Sequence, residues 1–147
     1  MTLPTHAILG LVIGKFTGNI PLAISVSILI DTDHLISYAK HKVLWPPKKF
    51  LEVVKDINDP WEDQRGYLHN VVIATIISFL VWIIFGRIIG AVFSLSYLGH
   101  LFLDAIDTAN YYPFYPIKTI KIKGVIPYWS KSELFLDAIF VSIFFIK

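Results

Sequence analysis

The chain has 147 residues, which fits one domain; it is 55% hydrophobic, with a mean hydropathy of +0.63 and only 16% charged residues. A soluble domain carries about 25% charged residues, so the composition excludes an ordinary soluble fold and predicts a single membrane-embedded domain over 1–147. A net charge of +2 is too small to argue for nucleic acid, and a chain without cysteine has no disulfide, thiolate ligand or cysteine nucleophile.

The first predicted helix runs over 2–16, with Thr2 or Thr5 as cap and Pro4 in its first turn. No secretory signal peptide is expected, because the first residues lack a basic n-region and the apolar run leads straight into polar motifs. Lys15, Thr17, Gly18, Asn19 and Pro21 read as a turn. A second helix then covers about 21–37 and ends in Asp31-Thr32-Asp33-His34. The competing reading is one span over about 7–30. The hairpin is preferred because Gly18-Asn19 before Pro21 is poor mid-helix sequence.

Residues 38–64 form the longest polar stretch. Within it, 47–58 places Phe50, Val53, Val54 and Ile57 at i, i+3, i+4 and i+7, with Lys48, Lys49, Glu52 and Lys55 on much of the other side. That pattern predicts an amphipathic helix, either along the membrane surface or packed on the bundle. A third helix is expected from Arg65 to about Phe85, a tight reversal at Gly86-Arg87, and a fourth helix from about Ile88 to Asp107. The aromatic and proline-rich 111–116 suits a membrane interface. Residues 118–124 read as a short ribbon or irregular loop, and a last helix over 132–146 has Ser132 as its cap. The fold class is therefore all-α: a polytopic membrane bundle of about five helices with a surface amphipathic helix.

Five helices put the N-terminus, loop 38–67 and loop 108–131 on one side. That side holds Lys40, Lys42, Lys48, Lys49, Lys55, Arg65, Lys118, Lys121, Lys123 and Lys131, against Lys15, Arg87 and Lys147 on the other. The positive-inside rule makes the first side cytoplasmic. The polar residues, placed independently, converge on the same side: His6, Asp31, Asp33, His34, Arg65, His69, His100, Asp104 and Asp107.

His100, Asp104 and Asp107 stand at i, i+4 and i+7, within an arc of roughly 60° on one helix face. An Asp near the centre of a membrane helix costs about 2.5–3.5 kcal/mol on the insertion scale. A divalent cation or a basic residue on a partner helix would offset that cost. Histidines and aspartates without cysteine form a ligand set for Zn²⁺, Mn²⁺ or Fe²⁺, and an Asp-x-Asp-His cluster can bridge two metals. His6 alone reads equally well as a solvated helix-end residue. Asp107 lies nearer the interface and reads also as a helix-end polar residue. His41, between Lys40 and Lys42, is expected to be solvated. Glu133 and Asp137 are accounted for by the N-terminus of the last helix. There is no Ser/His/Asp motif and no glycine-rich phosphate loop.

The order of these motifs resembles a known family. Thr-His near the start, Asp31-Thr32-Asp33-His34, Arg65-Gly66-Tyr67-Leu68-His69 and Gly99-His100 followed by Asp104, then a Tyr/Pro-rich segment, is similar to the YdjM-type family over about residues 4–116. That family is assigned as membrane-bound, metal-dependent hydrolases and is also described as LexA-binding and inner membrane-associated. The family's usual His-Arg-Gly-x-Thr-His-Ser reads here Gln64-Arg65-Gly66-Tyr67-Leu68-His69-Asn70, and Ile30 stands where proline is usual. The resemblance implies His6, Asp31, Asp33, His34, His69, His100 and Asp104 as metal residues, with zinc first and manganese or iron as alternatives. A distant similarity to zinc-dependent phospholipase C and related nucleases implies phosphoester chemistry.

Two functional expectations follow. The first is a membrane-bound hydrolase in the inner membrane, acting at its cytoplasmic face on a lipid or lipid-linked phosphoester. There a metal lowers the pKa of water to about 7, Asp31 or Asp33 bridges metals or acts as base, and Arg65 stabilises charge on a phosphoryl oxygen. The second is a non-catalytic, metal-stabilised membrane module for partner docking or ion handling. Its ion-pathway form is disfavoured, since 74–91 offers only Thr75, Ser78 and Arg87 as polar or charged groups across the other half of the membrane.

Overall fold

The computed structural model describes residues 1–55, 59 and 61–146. All regular elements among these are helical: α1 (Leu3–Thr17), α2 (Ile20–Leu29), α3 (Thr32–Lys40), α4 (Pro47–Lys55), a short 3₁₀ turn (Tyr67–His69), α5 (Val71–Ile106) and α6 (Lys131–Phe145). The only bridges among the described residues are isolated, joining Asp107 to Ile126 and Tyr111 to Ile122, so the 118–124 segment is an irregular loop rather than a ribbon.

The turn between α1 and α2 excludes one span over 7–30. Gly18 closes α1 in the left-handed conformation, with φ 76°, and the Asn19 side chain accepts the Leu22 N–H at 3.2 Å to cap α2. The expected single helix over 21–37 is in fact two. Asp31 N–H bonds the Ile28 carbonyl and Asp33 N–H the Ile30 carbonyl. This i→i−3 tightening interrupts the α-helix at the Asp-x-Asp motif.

α5 is a hairpin of two arms. A straight 36-residue helix would be about 54 Å long, yet Leu68 and Tyr97 are hydrogen-bonded at 2.7 Å. Gly86 makes the reversal with φ 81° and ψ 176°, a region open essentially to glycine alone. Next to it Gly90 admits Trp82: a β-carbon at Gly90 would lie 2.6 Å from the Trp82 Cα. The first arm starts at Val71 rather than Arg65, because Asn70 takes the cap, accepting from Val72 N at 2.7 Å and Ile73 N at 3.1 Å.

α1 and α6 run parallel and are pinned at both ends. At one end buried Glu133 accepts from Thr2 N at 2.6 Å and Thr5 Oγ1 at 2.9 Å. At the other, Lys15 Nζ donates to the Phe144 and Ile146 carbonyls. Glu133 therefore links two helices, beyond the N-terminal stabilisation expected of it. Val26, Ile30, Ala74, Tyr97 and Leu101 form the core between α2 and α5.

Two stretches, 20–40 and 71–106, are long and apolar enough to cross a membrane, with mean hydropathies of 1.4 and 2.4, and the most apolar window of the second is only 11% buried. Phe79, Ile83, Ile84, Phe85, Ile88 and Phe102 stand more than 60% exposed along it, a continuous apolar surface that suits lipid. The amphipathic helix is seen as α4, with Phe50 against Tyr38 at 5.5 Å between ring centroids; its expected end at 56–58, Ile57 included, lies outside the described residues. His41 is not solvated as expected: it stacks on Trp61 at 4.2 Å and bonds Asp63 at 3.0 Å.

The two glycine turns differ in what they tolerate. Gly86→Ala is expected to destabilise the protein by about 1–3 kcal/mol, whereas Gly18→Asn costs less because Asn adopts the left-handed conformation readily. Thermal unfolding in detergent checks this, and equal losses would contradict the geometry at Gly86.

Candidate metal centre

Four segments meet at one end of the bundle. The helix break at 30–33 sends Asp31 and Asp33 to opposite edges of the His69 ring. Asp33 Oδ2 lies 3.3 Å from His69 Nδ1 and accepts the Leu68 N–H at 2.6 Å. Asp31 Oδ1 lies 3.8 Å from His69 Nε2. The second arm of α5 brings His100 and Asp104, one turn apart, up to the same nitrogen. His100 Nε2 is 3.2 Å from His69 Nε2, and Asp104 Oδ2 is 3.1 Å from it. His100 Nε2 also lies 3.5 Å from Asp31 Oδ1 and 3.6 Å from Asp104 Oδ2.

These donor atoms fit a small cation. Ligands at 2.0–2.1 Å in a tetrahedron are separated by about 3.3 Å; Asp31 Oδ1, His69 Nε2 and His100 Nε2 form one group with separations of 3.2, 3.5 and 3.8 Å, and Asp104 Oδ2 lies 3.1 and 3.6 Å from the two imidazole nitrogens. The set is nitrogen and oxygen, as zinc, manganese or iron accept. His6 forms a second, overlapping group with His100 and Asp104. Its ring stacks on His100 at 3.7 Å, its Nε2 is 3.5 Å from Asp104 Oδ1, and both its buried nitrogens lack a hydrogen-bond partner. Asp104 Oδ2 is likewise buried without a hydrogen-bond donor. Unpaired imidazole and carboxylate atoms side by side favour a shared cation over separate burial.

The surroundings orient the donors. The Ser27 carbonyl sits 2.7 Å from His100 Nδ1 and the Asp33 carboxylate sits on His69 Nδ1, leaving both Nε2 atoms turned toward the cluster. Asp33, expected as ligand or base, thus lies outside both donor groups and against the far side of a ligand. His34 also stands outside them, with Nε2 3.4 Å from Asp31 Oδ1. The expected set is therefore brought together as His6, Asp31, His69, His100 and Asp104 within the donor groups, and Asp33 and His34 beside them.

The charge partner is a buried arginine. Arg65 Nη2 donates to Asp104 Oδ1 at 3.0 Å and to Asp107 Oδ2 at 2.7 Å. The Met1 amino group donates to the same two oxygens at 3.0 and 2.5 Å. Burial opposes the charge on Arg65, but Asp104 and Asp107 outweigh it and hold the guanidinium firmly protonated. Burial would likewise raise Asp107, and the amino group and Arg65 reverse this and lower it. Asp107, at the C-terminal end of α5, is thus a fully buried ion-pair partner as well as a helix-end residue.

Sequence reasoning missed the scaffold of the turn at 65–70. Tyr111 Oη donates to the His69 carbonyl at 2.8 Å, Tyr97 Oη to the Leu68 carbonyl at 2.7 Å, and Val71 N–H to the Pro113 carbonyl at 2.8 Å. Tyr111 and Tyr112 are buried, so the start of the aromatic segment braces this turn.

Protein purified with its metal is expected to carry near-stoichiometric transition metal, and His100→Ala to lose most of it. Asp33→Asn should keep the fold and bind about 10- to 100-fold more weakly, as for the partner of a ligating histidine. Elemental analysis and metal titration decide this; equal metal content in wild type and His100→Ala would remove the centre.

The apolar helical character of the chain agrees with comparison against known families. The family model described as YdjM inner membrane protein matches residues 1–147, while comparison with curated proteins and with solved structures returns no match. Matched over the whole chain, the protein belongs to the YdjM family of inner membrane proteins.

Proposed function

We propose that the chain is a five-pass membrane protein, a single embedded bundle, whose metal centre hydrolyses a phosphoester of a lipid or lipid-linked substrate at the cytoplasmic face. The observation that carries this reading is the shape of the site. A cavity of about 300 Å³ adjoins the donor cluster, lined by the polar Asp31, His34, Arg65 and Asp107 and by the aliphatic Leu3, Ile28, Leu35 and Val54. A lining that combines charged and aliphatic groups suits an amphiphile with an anionic group.

A divalent metal would be held by the two overlapping groups, Asp31, His69 and His100 on one side and His6, His100 and Asp104 on the other, and would supply Lewis acidity and acidify water. The chain's own residues do the rest. Arg65 presents a fixed positive charge at the cavity wall, where phosphoryl oxygens would enter. Its Asp104 and Asp107 contacts keep the fork from moving as charge develops. Asp31 and His34, 3.4 Å apart at the cavity edge, are placed to take the proton of the attacking water and return it to the leaving oxygen as the P–O bond breaks. Asp33 acts through His69, holding its ring. The buried site lowers the local dielectric, which strengthens each of these interactions.

The orientation follows from charge. Lys42, Lys48, Lys49, Lys121 and Lys123 are exposed at the end of the bundle that holds the site, which favours the cytoplasm. Lys48→Cys should therefore be protected from an impermeant thiol reagent in intact cells and Arg87→Cys labelled; the opposite pattern would invert the assignment.

Turnover of phospholipids and polyprenyl phosphates in detergent, with Zn²⁺ or Mn²⁺ supplied, tests the reaction. Arg65→Lys keeps a charge but loses the planar fork; it should retain metal and lower turnover at least about tenfold, near 1.4 kcal/mol. Asp104→Asn should lose metal as well. If metal-loaded wild-type protein turns over no substrate, the non-catalytic module for docking or ion handling replaces this reading. Wild-type turnover in Arg65→Lys would remove only the role given to Arg65.

A further inference from the structure

One side chain in the cavity wall has no part in the metal centre and no sufficient structural reason to be polar. Gln64 precedes Arg65 and is buried, with 8% of its surface exposed. Its Oε1 accepts from Tyr38 Oη at 3.2 Å. Its Nε2 is buried without any partner. A primary amide carries two N–H donors, and leaving such a group buried and unpaired costs about 1–3 kcal/mol. A methionine of similar length would fill the same space without that cost. The loop does not need the side chain either, because it is the backbone N–H of Gln64 that bonds Asp59, at 2.9 Å.

Tyr38 Oη lies at the Oε1 end of the amide, and the Nε2 end is left without a partner. Gln64, Tyr38 and Arg65 all line the cavity. The next residue in the chain is thus the guanidinium, and the two together form a wall of donors. The carboxylates there, Asp31, Asp59 and Asp107, only accept when charged. Other lining residues carry donors, but the Met1 amino group is already held by Asp104 and Asp107, whereas Gln64 Nε2 is buried without a partner, which leaves it open to an oxygen acceptor beside Arg65.

We propose that Gln64 Nε2 donates to a phosphoryl oxygen of the substrate, which makes Gln64 a binding and specificity-determining residue and Tyr38 a positioning residue that aims it. The inference rests on the phosphoester reading and names the atom that recognises the phosphate. The ligand class is a phosphoester whose oxygens accept at both Gln64 and Arg65; the aliphatic part of the lining distinguishes a lipid phosphate from free phosphate.

The test is binding to metal-loaded protein in detergent, measured by calorimetry with dihexanoylphosphatidylglycerol, inorganic phosphate and dihexanoylglycerol as probes. Wild type should bind the phospholipid, bind phosphate more weakly and ignore the phosphate-free diglyceride. Gln64→Met should weaken phospholipid binding about tenfold, the loss of one hydrogen bond to a charged group. It should keep the metal and unfold at an equal or higher temperature, since an unpaired donor is gone. Gln64→Glu, the same shape with the donors replaced by negative charge, should weaken binding further. Tyr38→Phe should fall between wild type and Gln64→Met. Where a substrate is turned over, KM rises in the Gln64 variants more than kcat falls.

Wild-type affinity in both Gln64 variants overturns the proposal, as does loss of metal and fold together with affinity. If wild type hydrolyses a phospholipid and the Gln64 variants match it in KM and kcat, the proposal falls and the hydrolase reading stands. If Gln64-dependent binding occurs without turnover of any substrate, the phosphate assignment stands and the hydrolase reading falls. Binding of none of the probes by wild type removes both.

Discussion

The carboxylate of Asp104 is the constraint on which the structure turns. It sits on an apolar helix arm with 1% of its surface exposed, where an uncompensated charge would cost several kcal/mol. Compensation arrives from three separate parts of the chain: His6 from α1, Arg65 and His69 from the segment before α5, and His100 from one turn earlier on the same arm. His100 reaches Asp104 within one helix arm, but His6, Arg65 and His69 cannot unless α1, the 65–70 turn and the reversal at Gly86 are already in place. Packing and site formation are therefore one event. A cation bound there stabilises the assembled bundle directly, because the unfolded chain offers it no comparable set of donors.

The rest of the bundle holds that point still. Glycine at 86 folds α5 back so that His69 and His100, at opposite ends of an apolar hairpin, meet. Glu133 and Lys15 tie α6 to both ends of α1, which fixes the height of His6. Tyr97 and Tyr111 clamp the backbone of the turn from two directions. Each of these contacts is polar and satisfied in an otherwise aliphatic environment, where directional bonds fix geometry better than packing alone.

What could be read from the sequence was what a single segment determines. Gly18-Asn19-Pro21 and Gly86-Arg87 carry their own turn chemistry, and the i, i+4, i+7 spacing of His100, Asp104 and Asp107 places them on one face whatever else happens. The His and Asp residues that gather at the centre were legible for the same reason: charge in an apolar run is costly, so it stands there only where a partner or a cation offsets it. The division of labour among them was not. Asp31 and Asp33 differ by two positions in sequence and are equivalent ligands on paper, but the i→i−3 tightening after Ile28 puts them on opposite edges of one imidazole. Asp107 reads as no more than a helix-end residue until Arg65 is placed beside it. Tyr38 carries no motif and Gln64 departs from one, standing where the family usually has histidine; the unpaired amide in the cavity lining marks them. The start of α5 was misplaced because Asn70 is a strong cap, while Arg65 to His69 follow a helical spacing without forming an α-helix.

The location of the centre at one end of the helices also has a physical reason. At mid-depth, Asp31, Asp33, Asp104 and Asp107 would have lipid tails around them. At the helix ends they have backbone donors, loops and the Arg65 guanidinium, and the cavity can open toward the headgroup layer. The carboxylates there still outnumber the side-chain cations they touch, so an approaching phosphate is repelled until a divalent cation is bound. On the reading proposed above, the same imbalance that favours a metal makes anion binding conditional on it: the cluster without a cation repels the phosphate that the metal-loaded cavity would hold.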